Sequence, residues 1–261
     1  MRSRARTERL LSGLLVAALL GGWEAVVRLG EIPAYILPGP LLVAEALWRD
    51  WTVLGPALLT TLAIAGLALL AAAAGGGLLA VLLALSRWLE AGLLPLAVTL
   101  QVVPVVSIAP LVLIYVEEVT LALVLCAWLV AFYPVFSNTL FGLKHTDPML
   151  RDLFRLYGAS RLQRLYYLEL PSALPHFLAG LRISGGLALV GAVVAEFAAG
   201  TAGARAGLAF RLLEAGWRLD MPRMFAALLL LALSGVAIHG LLALLQRWLL
   251  GRRYPRMRED R

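Results

Sequence analysis

Very few side chains in this sequence are placed to do bond-making chemistry. Hydrolysis of a nucleotide by a glycine-rich loop needs Gly-x-x-x-x-Gly-Lys-Ser/Thr. That pattern is absent, and the only lysine, Lys144, does not lie in such a loop. His145, His176 and His239 are scattered without metal-ligand spacing, so no metal site or other cofactor is expected. The single cysteine, Cys126, lies in an apolar run and rules out a disulfide within one chain. No nucleophile, base and acid stand in a pattern that suggests catalysis, so the chain is not expected to be an enzyme. The polar residues worth weighing are those set among apolar ones, where an unpaired polar group is costly. Gln101 sits among prolines, where freed backbone carbonyls can face a cavity; the alternative is a helix–helix hydrogen bond. Ser107 can line the same path or bond back to its own helix. Glu196 can line a polar path, hold two helices together, or meet water at an interface. No pair of acids lies within the apolar runs to carry protons or Na⁺.

These residues are held by elements made for a non-aqueous solvent. Of 261 residues 61% are hydrophobic and only 15% are charged, with a mean hydropathy of +0.86. A water-soluble globule of this size could not cover so much apolar surface. Disorder, a disulfide scaffold and a nucleic-acid-binding domain are excluded on the same grounds, and the net charge of +7 is read as orientation in a membrane. A spanning helix needs about 20 mostly apolar residues. The sequence predicts an all-α integral membrane protein with about six transmembrane helices. They cover Leu10 to Leu29, Ala57 to Leu85, Leu93 to Val116, Val119 to Phe141, Phe177 to Ala199 and Phe225 to Leu250. The second is long enough to kink at Gly75-Gly76-Gly77, and the third is interrupted by Pro95, Pro104 and Pro110.

Basic residues gather on one side of these spans. Arg2, Arg4, Arg6 and Arg9, then Arg87, the run from Lys144 to Arg164, and Arg247 to Arg261 fall there. Arg49, Arg205, Arg211, Arg218 and Arg223 fall on the other. The imbalance puts both termini in the cytoplasm. Three parts follow: residues 1–56 with a basic arm, first span and outer loop; a five-span core, 57–250; and a basic tail, 251–261. The outer segment Gly200 to Pro222 contains Leu208, Phe210, Leu212, Leu213 and Trp217 with Arg211 and Arg218, the pattern of an amphipathic surface or re-entrant helix.

The longest inner segment, inside residues 142–176, is amphipathic. Asp147-Pro148 reads as a helix cap followed by proline at the first helical position. Leu150, Leu153, Phe154 and Tyr157 then repeat at helical spacing, with Arg151 and Arg155 on the other side. Gly158 ends that helix. Ser160 and Gln163 form a capping box that starts a second one, and Pro171 and Pro175 are expected to close the segment. Such a bend can rest on lipid, act as a lid, or dock in a groove on another protein.

One resemblance bears on that choice. Asp152-Leu153-Phe154, three residues, Gly158, nine residues, then Leu168-x-Leu170-Pro171 resembles the cytoplasmic EAA loop of ABC importer permeases. Asp152 stands where that loop has Glu, Leu153-Phe154 where it has two alanines, and Leu168 where it has Ile. Leu37-Pro38-Gly39-Pro40, Leu85-Ser86-Arg87, Gly158-Ala159-Ser160-Arg161 and Val193-Val194-Ala195-Glu196 resemble the branch that carries nitrate, sulfonates, taurine and bicarbonate. The resemblance implies a multi-pass subunit of the bacterial inner membrane that acts as a pair of copies. It also implies two cytoplasmic ATP-binding subunits and a periplasmic or lipid-anchored substrate-binding protein as partners. The loop would be the coupling helix, with Asp152, Leu153, Phe154, Tyr157, Gly158, Ala159, Ser160, Leu168, Leu170 and Pro171 at the contact. The cargo would be a small anion or polar organic solute. The rival reading is a stand-alone secondary transporter or channel.

Overall fold

The computed structural model describes the backbone of residues 2–200 and 206–253, and the side chains of 11, 13–200 and 206–251. The basic arm, Arg205 and the arginines of 252–261, on which part of the expected orientation rests, lie outside the described side chains. The described residues are helices and the turns joining them. In chain order these are α1 (Arg2–Leu29), α2 (Pro40–Arg49), α3 (Trp51–Leu85), α4 (Arg87–Val102), α5 (Val105–Tyr115) and α6 (Val119–Lys144). They continue with α7 (Pro148–Leu156), α8 (Arg161–Arg164), a π-helical turn (Leu165–Glu169), α9 (Leu170–Ala199), α10 (Leu208–Trp217) and α11 (Met221–Arg253).

Among the described residues, four stretches are long and apolar enough to cross a bilayer. They are α3, α6, the continuous rod Arg161–Ala199, and Met221–Gly251 of α11. The stretch expected as a third span departs from a simple rod. α4 and α5 meet at an angle of 101°, and make a fifth crossing only if the bent pair is counted as one. The break comes at one proline of the three. Val103 and Pro104 both take extended backbone, with ψ of 122° and 115°, and two successive non-helical residues turn the chain. Pro95 and Pro110 stay inside their helices.

Two boundaries also move. α3 begins at Trp51 rather than Ala57 and runs unbroken through Gly75-Gly76-Gly77. Pro171 and Pro175 do not end the inner segment, because the helix that starts at Arg161 continues through both into α9. The wide π turn directly before Pro171 gives the helix slack where a proline would otherwise clash with the preceding turn.

At the centre, α6 packs between α3 and α9. Buried Ala68 and Ala72 of α3, Ala127 and Ala131 of α6, and Ala188 and Ala192 of α9 meet there. Between apolar helices in lipid, association relies on close backbone approach and tight packing. A methyl group on Gly180 would fall 2.5 Å from the Pro134 carbonyl oxygen, and one on Gly191 2.8 Å from the Ala127 Cα. Small residues are therefore what bring α6 and α9 together, and α6 thereby sets the positions of the segments at both its ends.

Candidate functional site

The inner segment is built from its caps outward. The Asp147 carboxylate accepts the Met149 N–H at 2.8 Å, and Pro148 opens α7. Gly158, at φ +69°, ends it in a left-handed conformation that costs glycine nothing. Ser160 and Gln163 complete the expected capping box: the Gln163 N–H donates to the Ser160 hydroxyl at 3.2 Å, and the Ser160 N–H to the Gln163 side chain at 2.8 Å. α7 buries none of its own residues. Leu150 and Leu153 are exposed, Leu156 and Tyr157 are over four-fifths exposed, Phe154 is half-buried, and Asp152 is in solvent. An amphipathic helix therefore turns its apolar side outward.

Its charged side holds it in place. Arg151 Nη2 donates to the Leu143 carbonyl at 2.7 Å, satisfying a free carbonyl at the end of α6. Arg151 Nε also lies 3.6 Å from Glu169 Oε1, to which Arg164 Nε donates at 2.8 Å. Glu169 is buried in the π turn and joins α7 to the rod leading into α9. Sequence reasoning passed over Glu169; the available signal was an acid following a run that contains Arg151, Arg155, Arg161 and Arg164 but only one other carboxylate, Asp152. Of the other predicted contact residues, Ala159 is half-buried, Leu168 is buried, and Leu170 and Pro171 border a cavity of about 750 Å³ with Tyr166, Tyr167 and Phe177.

The three polar residues singled out in the apolar runs do not converge. Gln101 borders a cavity of about 320 Å³ inside the α4–α5 bend, facing Tyr133, Pro134 and Leu187. Ser107 is exposed on α5 and lines neither that cavity nor the one beside Glu196. Glu196 is 3% exposed near the end of α9, beside a separate cavity of about 340 Å³. Its carboxylate accepts the Thr61 hydroxyl at 2.7 Å and the Ala209 N–H at 2.9 Å. The Leu208 N–H donates to the Thr61 oxygen at 2.9 Å. Glu196 and Thr61 together thus satisfy the free amides at the N-terminus of α10, where the helix dipole also favours a carboxylate. Gly207 makes this possible, because a Cβ there would overlap the Glu196 carboxylate. Thr61 lies 135 residues from Glu196 in sequence, and nothing in its local pattern announces the contact. Elsewhere, Arg182 donates to His239 Nε2 at 3.2 Å, joining α9 to α11, and Asn138 bonds back to the Pro134 carbonyl of its own helix at 2.8 Å.

The sequence that folds into this bundle of apolar helices matches a known family over most of its length. Residues 74–251 match the family described as binding-protein-dependent transport system inner membrane component. The chain belongs to this family. Among curated relatives, the riboflavin transport system permease protein RibX of Chloroflexus aurantiacus is 40% identical over 95% of this chain and 93% of its own. A probable ABC transporter permease protein of Haemophilus influenzae is 36% identical over 88% of this chain and 93% of its own. The formylaminopyrimidine transport permease protein ThiX of Halalkalibacterium halodurans is 33% identical over 82% and 84%. Permeases named for sulfonates, taurine, nitrate and bicarbonate are related as well. The protein is thus a multi-pass ABC transporter permease, and such permeases work with ATP-binding and substrate-binding partners.

Proposed function

We propose that this permease forms the translocation path of an ATP-driven importer as a pair of identical copies in the bacterial inner membrane. α7 is the coupling helix and seats in a cleft of a cytoplasmic ATP-binding subunit, one per copy. A periplasmic or lipid-anchored protein delivers the cargo. Six spans, with α1 as the first and the α4–α5 pair as the third, leave both termini in the cytoplasm. The observation that carries this reading is the split character of α7. Its arginine side is tied to Leu143 and Glu169, while Met149, Leu153, Leu156 and Tyr157 are offered to solvent. A helix resting on lipid would send Arg151 to headgroups rather than to Leu143 and Glu169.

The cargo we infer is a small polar organic molecule of the vitamin or pyrimidine kind. The relatives named for riboflavin and formylaminopyrimidine transport support it. So does the cavity at Gln101, where an amide and the Tyr133 ring stand among Val, Ile and Leu side chains, a setting for a planar heterocycle rather than an inorganic ion. The test is reconstitution of the permease into proteoliposomes with candidate ATP-binding subunits and binding proteins from the same cell. Radiolabelled riboflavin, a formylaminopyrimidine and taurine would be offered in parallel. ATP-dependent uptake of a heterocycle that requires all three components supports the reading. Uptake by the permease alone would make it a stand-alone transporter.

A further inference from the structure

A further concavity of about 970 Å³ lies between the end of α3, the start of α4 and the inner side of α7. Its wall carries Lys144 and five arginines but only two carboxylates, Glu90 and Glu169. Lys144 pairs with Glu90. Arg151 and Arg164 share Glu169. Arg155 reaches Asp152 at 3.5 Å, with both side chains largely in solvent. Among the described residues, no carboxylate pairs with Arg87 or Arg161. The lining therefore holds four more positive than negative groups, gathered from α4, α6, α7 and α8 around one open concavity. Like charges lining one concavity repel one another, and an anion between them relieves that repulsion. Guanidinium groups also present paired donors that match the oxygens of a phosphate.

We propose that this concavity binds a phosphate-bearing anion, held by Arg87, Arg155 and Arg161. The volume admits more than the phosphate alone. The headgroup of an anionic phospholipid is one source, with Leu85 and Trp88 on the wall to meet its glycerol and upper chains. Free phosphate or a phosphorylated solute is the other. Either would bridge the start of α4 to α7 and α8, and so stiffen the outward-facing helix. The site depends on the permease alone and not on how α7 meets a partner.

The test uses the full-length permease in nanodiscs at constant ionic strength. Thermal midpoints are compared in phosphatidylcholine, in phosphatidylcholine mixed with phosphatidylglycerol, and in phosphatidylcholine with millimolar inorganic phosphate. The wild type is expected to gain several degrees in one of the two charged settings. The Arg87→Gln/Arg161→Gln double variant is expected to lose that gain while keeping its midpoint in phosphatidylcholine. A gain with phosphatidylglycerol identifies a lipid site, and a gain with inorganic phosphate a soluble-anion site. No gain in either setting would overturn the proposal. So would a gain that the double variant retains, or one lost equally in Arg218→Gln, a surface arginine on another element.

Discussion

Arg151 of α7 lies 3.6 Å from Glu169, whose same oxygen accepts from Arg164 at 2.8 Å, and the Arg151 contact ties α7 to the rod that becomes α9. Under the proposed function, a force applied to α7 would enter the bundle through this contact. α9 lies against α6 through Gly180 and Gly191, and α6 in turn lies against α3 through Gly76, whose added Cβ would fall 3.1 Å from the Phe136 nitrogen. A helix with no buried residue of its own could not otherwise pass on a push.

Glu169→Ala is expected to free α7. The two arginines it leaves unpaired are 30% and 25% exposed, so water recovers part of the loss, and the cost is about 1–2 kcal/mol. The measurement is the thermal midpoint in detergent together with the rate of proteolysis between Leu143 and Ser160. The rate should rise more than the midpoint falls. Coupled ATP hydrolysis in the assembled importer should drop, because the handle is loose.

Gly207→Ala should be costly and Gly186→Ala should not. A Cβ at Gly207 overlaps the Glu196 carboxylate, whereas a Cβ at Gly186 meets nothing within 4 Å. The first change is expected to cost roughly 1–3 kcal/mol by forcing the cap of α10 apart. The second is expected to be neutral or to stabilise α9 by about 0.5–1 kcal/mol, since alanine is the better helix former. Parallel thermal melts of the two variants check the contrast.

Thr61→Val removes the hydroxyl that accepts the Leu208 N–H and donates to Glu196. The expected loss is about 1–3 kcal/mol for buried groups left without partners. Thr61→Ser should recover most of it, because it restores the hydroxyl with only a methyl missing. Equal loss in both variants would mean that the methyl packing, and not the hydrogen bonds, holds the site.

Glu214 makes the outer segment acid-sensitive. The hydrogen bond from Arg211, at 2.8 Å, holds its carboxyl below the usual carboxylate range, against a smaller opposing effect of burial, with further help from the charges of Arg211, Arg218 and Arg223. A depressed value in the folded protein gives stability that is present above the unfolded value, about 4.3, and is lost as pH falls through the folded one. Glu214→Gln should therefore melt earlier than wild type at pH 7, and the gap should close as pH falls below about 4. Melting curves of both proteins across that range make the comparison.

The sequence was most informative where local chemistry decides structure. Asp147-Pro148, Gly158 and the Ser160–Gln163 pair are short-range devices, and α7 starts and stops, and α8 starts, where these devices place them. It was least informative where a distant partner decides. Proline content marked three breaks between Leu93 and Val116, but only Val103-Pro104 lost helical backbone. Pro171 reads as a stop, yet the π turn before it lets the helix continue. Glu196 stood out as a polar residue in an apolar run, but its partners Thr61 and Ala209 come from two other helices, so only the fold reveals that it caps α10. Glu169 was hidden for the same reason, since Arg151 belongs to a different helix.

The account depends most on α7 being gripped by a separate ATP-driven subunit. The direct measurement is co-purification of the tagged permease, expressed in its own cells, with an ATP-binding subunit, wild type against Leu153→Glu, with thermal melts showing that both are folded. The account predicts a stable complex for the wild type and its loss in the variant, since a charge would have to enter an apolar groove. A complex that survives Leu153→Glu undiminished, or a folded wild type that never captures the subunit, would contradict it.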